Sequence, residues 1–138
     1  MISNNTSKWY EGMLAKASHL GQLSDVPTYK IGAILAYRKG IIATGYNKKK
    51  SHPLQYHYNQ FREEYKRRRS FVHAEIDCIG NLREVPKGST LFIGRMDMNG
   101  NPAMCRPCEA CLRLIMLHNI SEIVYNTPNG YAIEHLKR

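Results

Sequence analysis

Three observations predict an α/β fold with a sheet covered by helices. Helical and strand periodicities alternate along the chain in the order α-ββ-α-β-α-β. The strand candidates are short, apolar and partly β-branched. The chain's 138 residues suffice to bury most of its apolar side chains around one core. No internal repeat, low-complexity tract or linker interrupts the order, so residues 1–138 are expected to form one domain.

Each element follows from its pattern. Trp9, Met13, Ala17 and Leu20 recur at helical spacing, which predicts an amphipathic helix over about 7–20 that ends near Gly21. "YKIGAILAYRKGIIATGYN" then gives two apolar runs around a Lys39-Gly40 turn, the pattern of a β-hairpin whose first strand is buried on both faces. Leu54, Tyr58, Phe61 and Tyr65 fall at i, i+4, i+7 and i+11, so a loop followed by a basic helix is expected after Asn47. A second helix is expected from 73 to about 83, closed by "VPKGS". "TLFIGRMD" is a strand, "MNGNPAM" a loop, and 108–118 is helical again. "SEIVYNT" is a strand, and "GYAIEHL" a strand or a helical turn.

Composition narrows the class. Hydrophobic content of 43% and charged content of 22% are those of a folded globular protein. No apolar run approaches the roughly 20 residues that span a bilayer, and "MISNNTSKWYEG" lacks the basic flank and apolar core of a signal peptide. A cytoplasmic protein without membrane partners is expected. The formal charge is +9, and residues 48–69 carry +6 of it through eight basic and two acidic side chains. A phosphate-bearing partner, nucleotide or nucleic acid, suits that distribution. A solvated helix face with a basic end is the structural alternative.

Three of the four cysteines, Cys105, Cys108 and Cys111, fall within seven residues, and the fourth is Cys78. In a chain with no export signal, such crowding points to a metal rather than to disulfides. Cys108 and Cys111 are separated by two residues at a helix start and can chelate one ion. His73 offers a third ligand, and an open fourth position would hold water, as in a catalytic zinc site. A first-turn position favours thiolate charge, while His73, also at a helix N-terminus, is disfavoured as a cation and so stays a neutral ligand. Two thiolates cancel the charge of Zn²⁺, so the water needs a nearby base. Glu75, two residues past His73, is placed to take its proton and pass it to a substrate.

"HAE" over 73–75 followed by "PCEAC" over 107–111 resembles the H-x-E…P-C-x-x-C signature of the zinc-dependent cytidine deaminase superfamily. "TGYN" ahead of it, ending at Asn47, is similar to the segment that places an asparagine against the substrate's sugar or base. The likeness spans residues 30–131 and is strongest to small cytidine or deoxycytidylate deaminases of phage and viral type. It implies a three-layer α/β/α fold with a mixed central sheet. It also implies zinc on His73, Cys108 and Cys111, proton transfer by Glu75, and hydrolysis of a cytosine nucleotide such as dCMP. Asn47 and Ala74 would be substrate contacts, and Lys48, Lys49 and Lys50 would lie where a 5′-phosphate could sit. Members commonly assemble, so a homo-oligomer is implied. His52 and His57, with no cysteine between Asn47 and His73, do not form the second, structural zinc site that many deoxycytidylate deaminases carry.

Other readings stay open on residues alone. Cys105, Cys108 and Cys111 also begin a ferredoxin run, but Ile115 stands where its fourth cysteine is due. A closed site that added Cys105 would fold the protein and catalyse nothing. The basic, aromatic-bearing segment suits a deaminase acting on single-stranded DNA, RNA or transfer RNA. It also suits a non-catalytic nucleic-acid-binding module with a structural zinc.

Overall fold

The computed structural model describes residues 4–62, 71–80 and 82–136. Helix α1 (Asn4–Gly21) leads into a hairpin of β1 (Ile31–Tyr37) and β2 (Gly40–Tyr46), followed by α2 (Pro53–Tyr58) and one 3₁₀ turn (Asn59–Phe61). After these come α3 (Ala74–Ile79), β3 (Ser89–Arg95), α4 (Glu109–Met116), β4 (Ile120–Thr127) and β5 (Gly130–His135). The five strands form one sheet in the order β2-β1-β3-β4-β5. Only β3 and β4 run parallel; the other neighbours are antiparallel. A parallel pair cannot be closed by a tight turn. The crossing from β3 to β4 therefore carries α4 and, at its start, Cys108 and Cys111.

Strand alternation sorts the core into two layers. Ala33, Leu35, Leu91, Ile93, Ile123 and Tyr125 point to the face covered by α2, α3 and α4. Ile34, Ala36, Phe92 and Val124 point to the opposite face, where Tyr10, Met13, Leu14 and Ala17 of α1 cover them. Phe92 is fully buried there, edge-on to Trp9 at 5.1 Å. Burial of a ring of that size is worth about 1.5–3 kcal/mol. The result is the three-layer α/β/α arrangement with a mixed sheet. Among the described residues, no helix is long and apolar enough to cross a membrane.

Several expected boundaries shift. The hairpin turn is Arg38-Lys39 and not Lys39-Gly40, because Tyr37 pairs with Gly40. Arg38 and Lys39 both take positive φ, 51° and 64°, as a two-residue turn that follows the strand twist requires. The helix expected to continue to 83 ends at Ile79: Gly80 N bonds Ile76 O, and Leu82 N then returns to Ile79 O, tightening the last turn. The expected basic helix does not run through Phe61, since Arg62 is extended (φ −104°, ψ 122°). Tyr58 is buried, while Phe61 lies under Arg113, whose guanidinium carbon is 4.7 Å from the ring centroid. Tyr65 and the run of basic residues over 66–69 lie outside the described residues. "GYAIEHL" forms the edge strand β5.

Candidate active site

Two helix starts meet on the α3/α4 side of the sheet. His73 is the extended residue that precedes α3 (φ −78°, ψ 156°), and its carbonyl accepts from Asp77 N at 2.9 Å. Its own amide has no helical acceptor and donates instead to Gln55 Oε1 at 2.9 Å, which fixes the main chain at the ligand. Cys108 stands in the same relation to α4 (φ −72°, ψ 172°), with its carbonyl accepting from Leu112 N at 2.8 Å. Cys111 follows in the first turn of α4.

His73 Nδ1 lies 3.5 Å from Cys108 Sγ and 3.4 Å from Cys111 Sγ. The three donor atoms are within 4.8 Å of one another, and they form the one such group among the described residues. A tetrahedral zinc with Zn–N of about 2.05 Å and Zn–S of about 2.3 Å holds its nitrogen and sulfur donors about 3.5 Å apart. The donor set and its spacing therefore fit zinc. Cys105 is not in the group: its thiol donates to Ile93 O at 3.2 Å, so the closed Cys₃His arrangement is not what the chain builds.

Charge at the centre is uneven. The Cys108 thiol is drawn down to about 3 by the hydrogen bond from Cys111, with His73 adding to the effect. Burial, with the hydrogen bond to Cys108, pushes Cys111 up. Glu75, in the first turn of α3, is only 5% exposed, and burial raises its carboxyl against opposing pulls from His73 and Cys111.

These residues open into a cleft of about 240 Å³, bordered by His73, Ala74, Glu75, Cys108, Asn47 and Cys105. Asn47 is buried, with Oδ1 accepting from Ile31 N at 2.9 Å and Nδ2 donating to Tyr29 O at 3.0 Å. The three lysines after it do not border the cleft. Lys48 turns to Asp77 of α3, 2.9 Å away, and lies over the Tyr46 ring. Lys49 N bonds Asp25, and Lys50 O accepts from Val72 N. His52 caps α2 by accepting from Leu54 N, and His57 stacks edge-on against Tyr58. Cys78 is buried in the core, as its place on α3 suggests.

Arginines supply the cleft's positive charge: Arg62, from the basic segment over 48–69, and Arg95 and Arg106, which the sequence reading did not single out, all border it. Two of them carried a signal. Arg95 closes the apolar strand "TLFIGR", and Arg106 directly precedes Pro107 and Cys108. Arg106 forms a two-point ion pair with Glu134 (2.6 and 3.1 Å), and that pairing holds the Glu134 carboxyl below its usual range. A larger cavity of about 630 Å³ between α1 and the β4–β5 turn shares only Arg95 with this cleft.

A three-layer fold that brings an imidazole and two sulfurs into zinc geometry beside a buried glutamate defines a zinc-dependent hydrolase. Residues 7–127 match the family described as the cytidine and deoxycytidylate deaminase zinc-binding region, and the chain belongs to that family. Among solved structures, it is similar to dCMP deaminase from the cyanophage S-TIM5 in apo form. That likeness has a TM-score of 0.56 and 19% identity, over 90% of this chain and 84% of that one. The same cyanophage enzyme in complex with dCMP and dUMP matches with a TM-score of 0.54 and 17% identity, over 91% and 83%. At such identities the likeness is one of fold. No curated protein matches the chain significantly by sequence.

Proposed function

We propose that this chain hydrolytically deaminates a cytosine nucleotide, converting dCMP to dUMP, with residues 1–138 acting as one deaminase domain. The observation that carries the reading is the donor trio of His73, Cys108 and Cys111, two of whose members, His73 and Cys108, border a cleft together with Glu75. The shared fold with a cyanophage enzyme seen with dCMP and dUMP supports the choice of nucleotide. Zinc held by the trio supplies the Lewis acidity that makes water a nucleophile near neutral pH.

The protein's own residues account for the rest. Hydrolysis puts oxygen on the amino-bearing ring carbon, consumes one water and releases one ammonia. The water must lose a proton and the leaving amine must gain one, and Glu75 carries it between them. Burial raises its carboxyl, which lets the group hold that proton as well as give it up. Asn47 and Ala74 are assigned to substrate contact; the hydrogen bonds that Asn47 donates to Tyr29 O and accepts from Ile31 N hold its side chain in place for that role.

The test is ammonia release by the zinc-loaded chain from dCMP, dCTP, deoxycytidine and a cytosine-bearing oligonucleotide. The highest kcat/KM is expected for dCMP. Conversion of the oligonucleotide alone would reject the substrate, and no conversion of any of the four would reject the activity.

A further inference from the structure

Four basic side chains lie in or near the cleft, and three of them already face a specific partner. Lys48 is held by Asp77, and Arg106 by Glu134. Arg62 places Nη1 3.2 Å from His73 Nε2. Arg95 differs. Among the described residues no carboxylate pairs with it, and its Nε is the one buried side-chain polar atom without a hydrogen-bond partner.

Yet Arg95 is not a loose surface side chain. Its main-chain N donates to Asn126 Oδ1 at 3.0 Å, its Nη1 donates to Met104 O at 3.1 Å, and its guanidinium carbon lies 5.9 Å from the centroid of the Tyr29 ring. The group is thus fixed at the end of β3, on the wall of the cleft, with a buried N–H left over. An unsatisfied buried donor is costly, and more so when it is charged. A sequence that keeps one at a cleft wall gains when an anion supplies the missing acceptor. Among the described residues that border the cleft, Glu75 is the only acid, against three arginines, so the local field favours an anionic ligand. The planar fork of a guanidinium suits the oxygens of a phosphate.

We infer that Arg95 is the specificity-determining residue that takes the 5′-phosphate of the substrate, so that the cleft selects a mononucleotide over the corresponding nucleoside. This rests on the deaminase reading above and adds to it the group that recognises the phosphate. It also moves that recognition from the lysines after Asn47 to the end of β3.

The test compares binding of dUMP and deoxyuridine to the zinc-loaded chain by titration calorimetry, a readout that needs no turnover. The wild-type chain is expected to bind dUMP about 10- to 100-fold more tightly, the range for one charge-assisted contact. In R95M that ratio falls to about one. A wild-type ratio near one, or a ratio that survives in R95M, overturns the proposal. If R95M does not fold, R95K carries the test: charge without the planar fork gives an intermediate ratio, and an undiminished one overturns the proposal. Failure of the activity itself reads out separately, as no ammonia from dCMP alongside an intact dUMP preference.

Discussion

Gln55 accepts a hydrogen bond from the main-chain amide of His73 at 2.9 Å, while its own side-chain amide donates to Asn59 at 2.8 Å. Gln55 and Asn59 are both fully buried, so a side chain on α2 sets the position of a residue that begins α3. Replacing Gln55 by Leu keeps the bulk and removes the acceptor, leaving a buried N–H unmet. A stability loss of about 1–3 kcal/mol is expected. Because the main chain at a metal-binding residue loosens, zinc affinity should fall about 10- to 100-fold, as for other outer contacts of metal sites. Chelator competition on Q55L and Q55E checks this. Q55E, which retains the acceptor, should stay closer to wild type, and equal affinities in all three proteins would refute the positioning role.

Glu75 and the donor trio should separate cleanly on substitution. E75Q leaves the sulfurs and the imidazole in place, so the expected outcome is retained zinc with kcat reduced by about 10²- to 10⁴-fold. H73A, C108A and C111A each remove a donor, and metal content should drop from about one ion per chain toward zero. Elemental analysis beside an ammonia-release assay reads both quantities. Full turnover by E75Q would remove the proton-transfer role from Glu75.

The donor trio was legible in the sequence because helix starts fix it: a histidine opening α3 and a C-x₂-C opening α4 converge once both helices pack on one face. The layer order was legible because Leu35 and Ile34, or Ile93 and Phe92, alternate between the two cores. What the sequence hid were directions. Lys48 follows Asn47 in the chain, yet it turns away to Asp77, so adjacency to a cleft residue did not make it a cleft residue. Arg95 reaches the cleft only because β3 ends beside the helix starts. The periodicity over 54–65 reads as one helix, but the chain becomes extended at Arg62, which pattern alone does not foresee.

Stability should fall in alkali through the two buried thiols that do not join the trio. Burial pushes Cys78 and Cys105 each from 9.0 up to about 12. A raised folded-state value means that the native chain holds protons the unfolded chain has released. Their contribution is therefore complete below about pH 9 and is lost as pH rises toward 12, at up to about 1.4 kcal/mol per pH unit for each thiol. Tyr10, raised by burial and by its hydrogen bond to Glu122, adds the same sign of change at higher pH. Urea unfolding at pH 8 to 10.5 in reductant and chelator should show this fall. C105A should lower the slope by about one proton relative to its parent. An unchanged slope would mean that the Cys105 thiol titrates normally in the fold.

Gly45 links the sheet to the site most directly. A Cβ built there would lie 2.4 Å from Cys78 N, 2.8 Å from Ala74 O and 2.8 Å from Asp77 C, all of them main-chain atoms of α3. Glycine at this point of β2 lets α3 lie close against the sheet, and α3 carries Glu75 and follows His73. The contact is reinforced where Asp77 accepts from Tyr46 N at 3.1 Å. G45A must push α3 outward, at an expected cost of about 1–3 kcal/mol. Gly94 offers a matched comparison on the other face, since its Cβ would meet Ser18 N of α1 at 2.5 Å. Both variants should lose stability, but only G45A displaces the helix start that holds His73. Zinc affinity, measured by chelator competition at a temperature where both proteins are folded, should drop in G45A and hold in G94A. An equal drop in both would show that the metal centre responds to general loosening of the fold and not to the seat of α3.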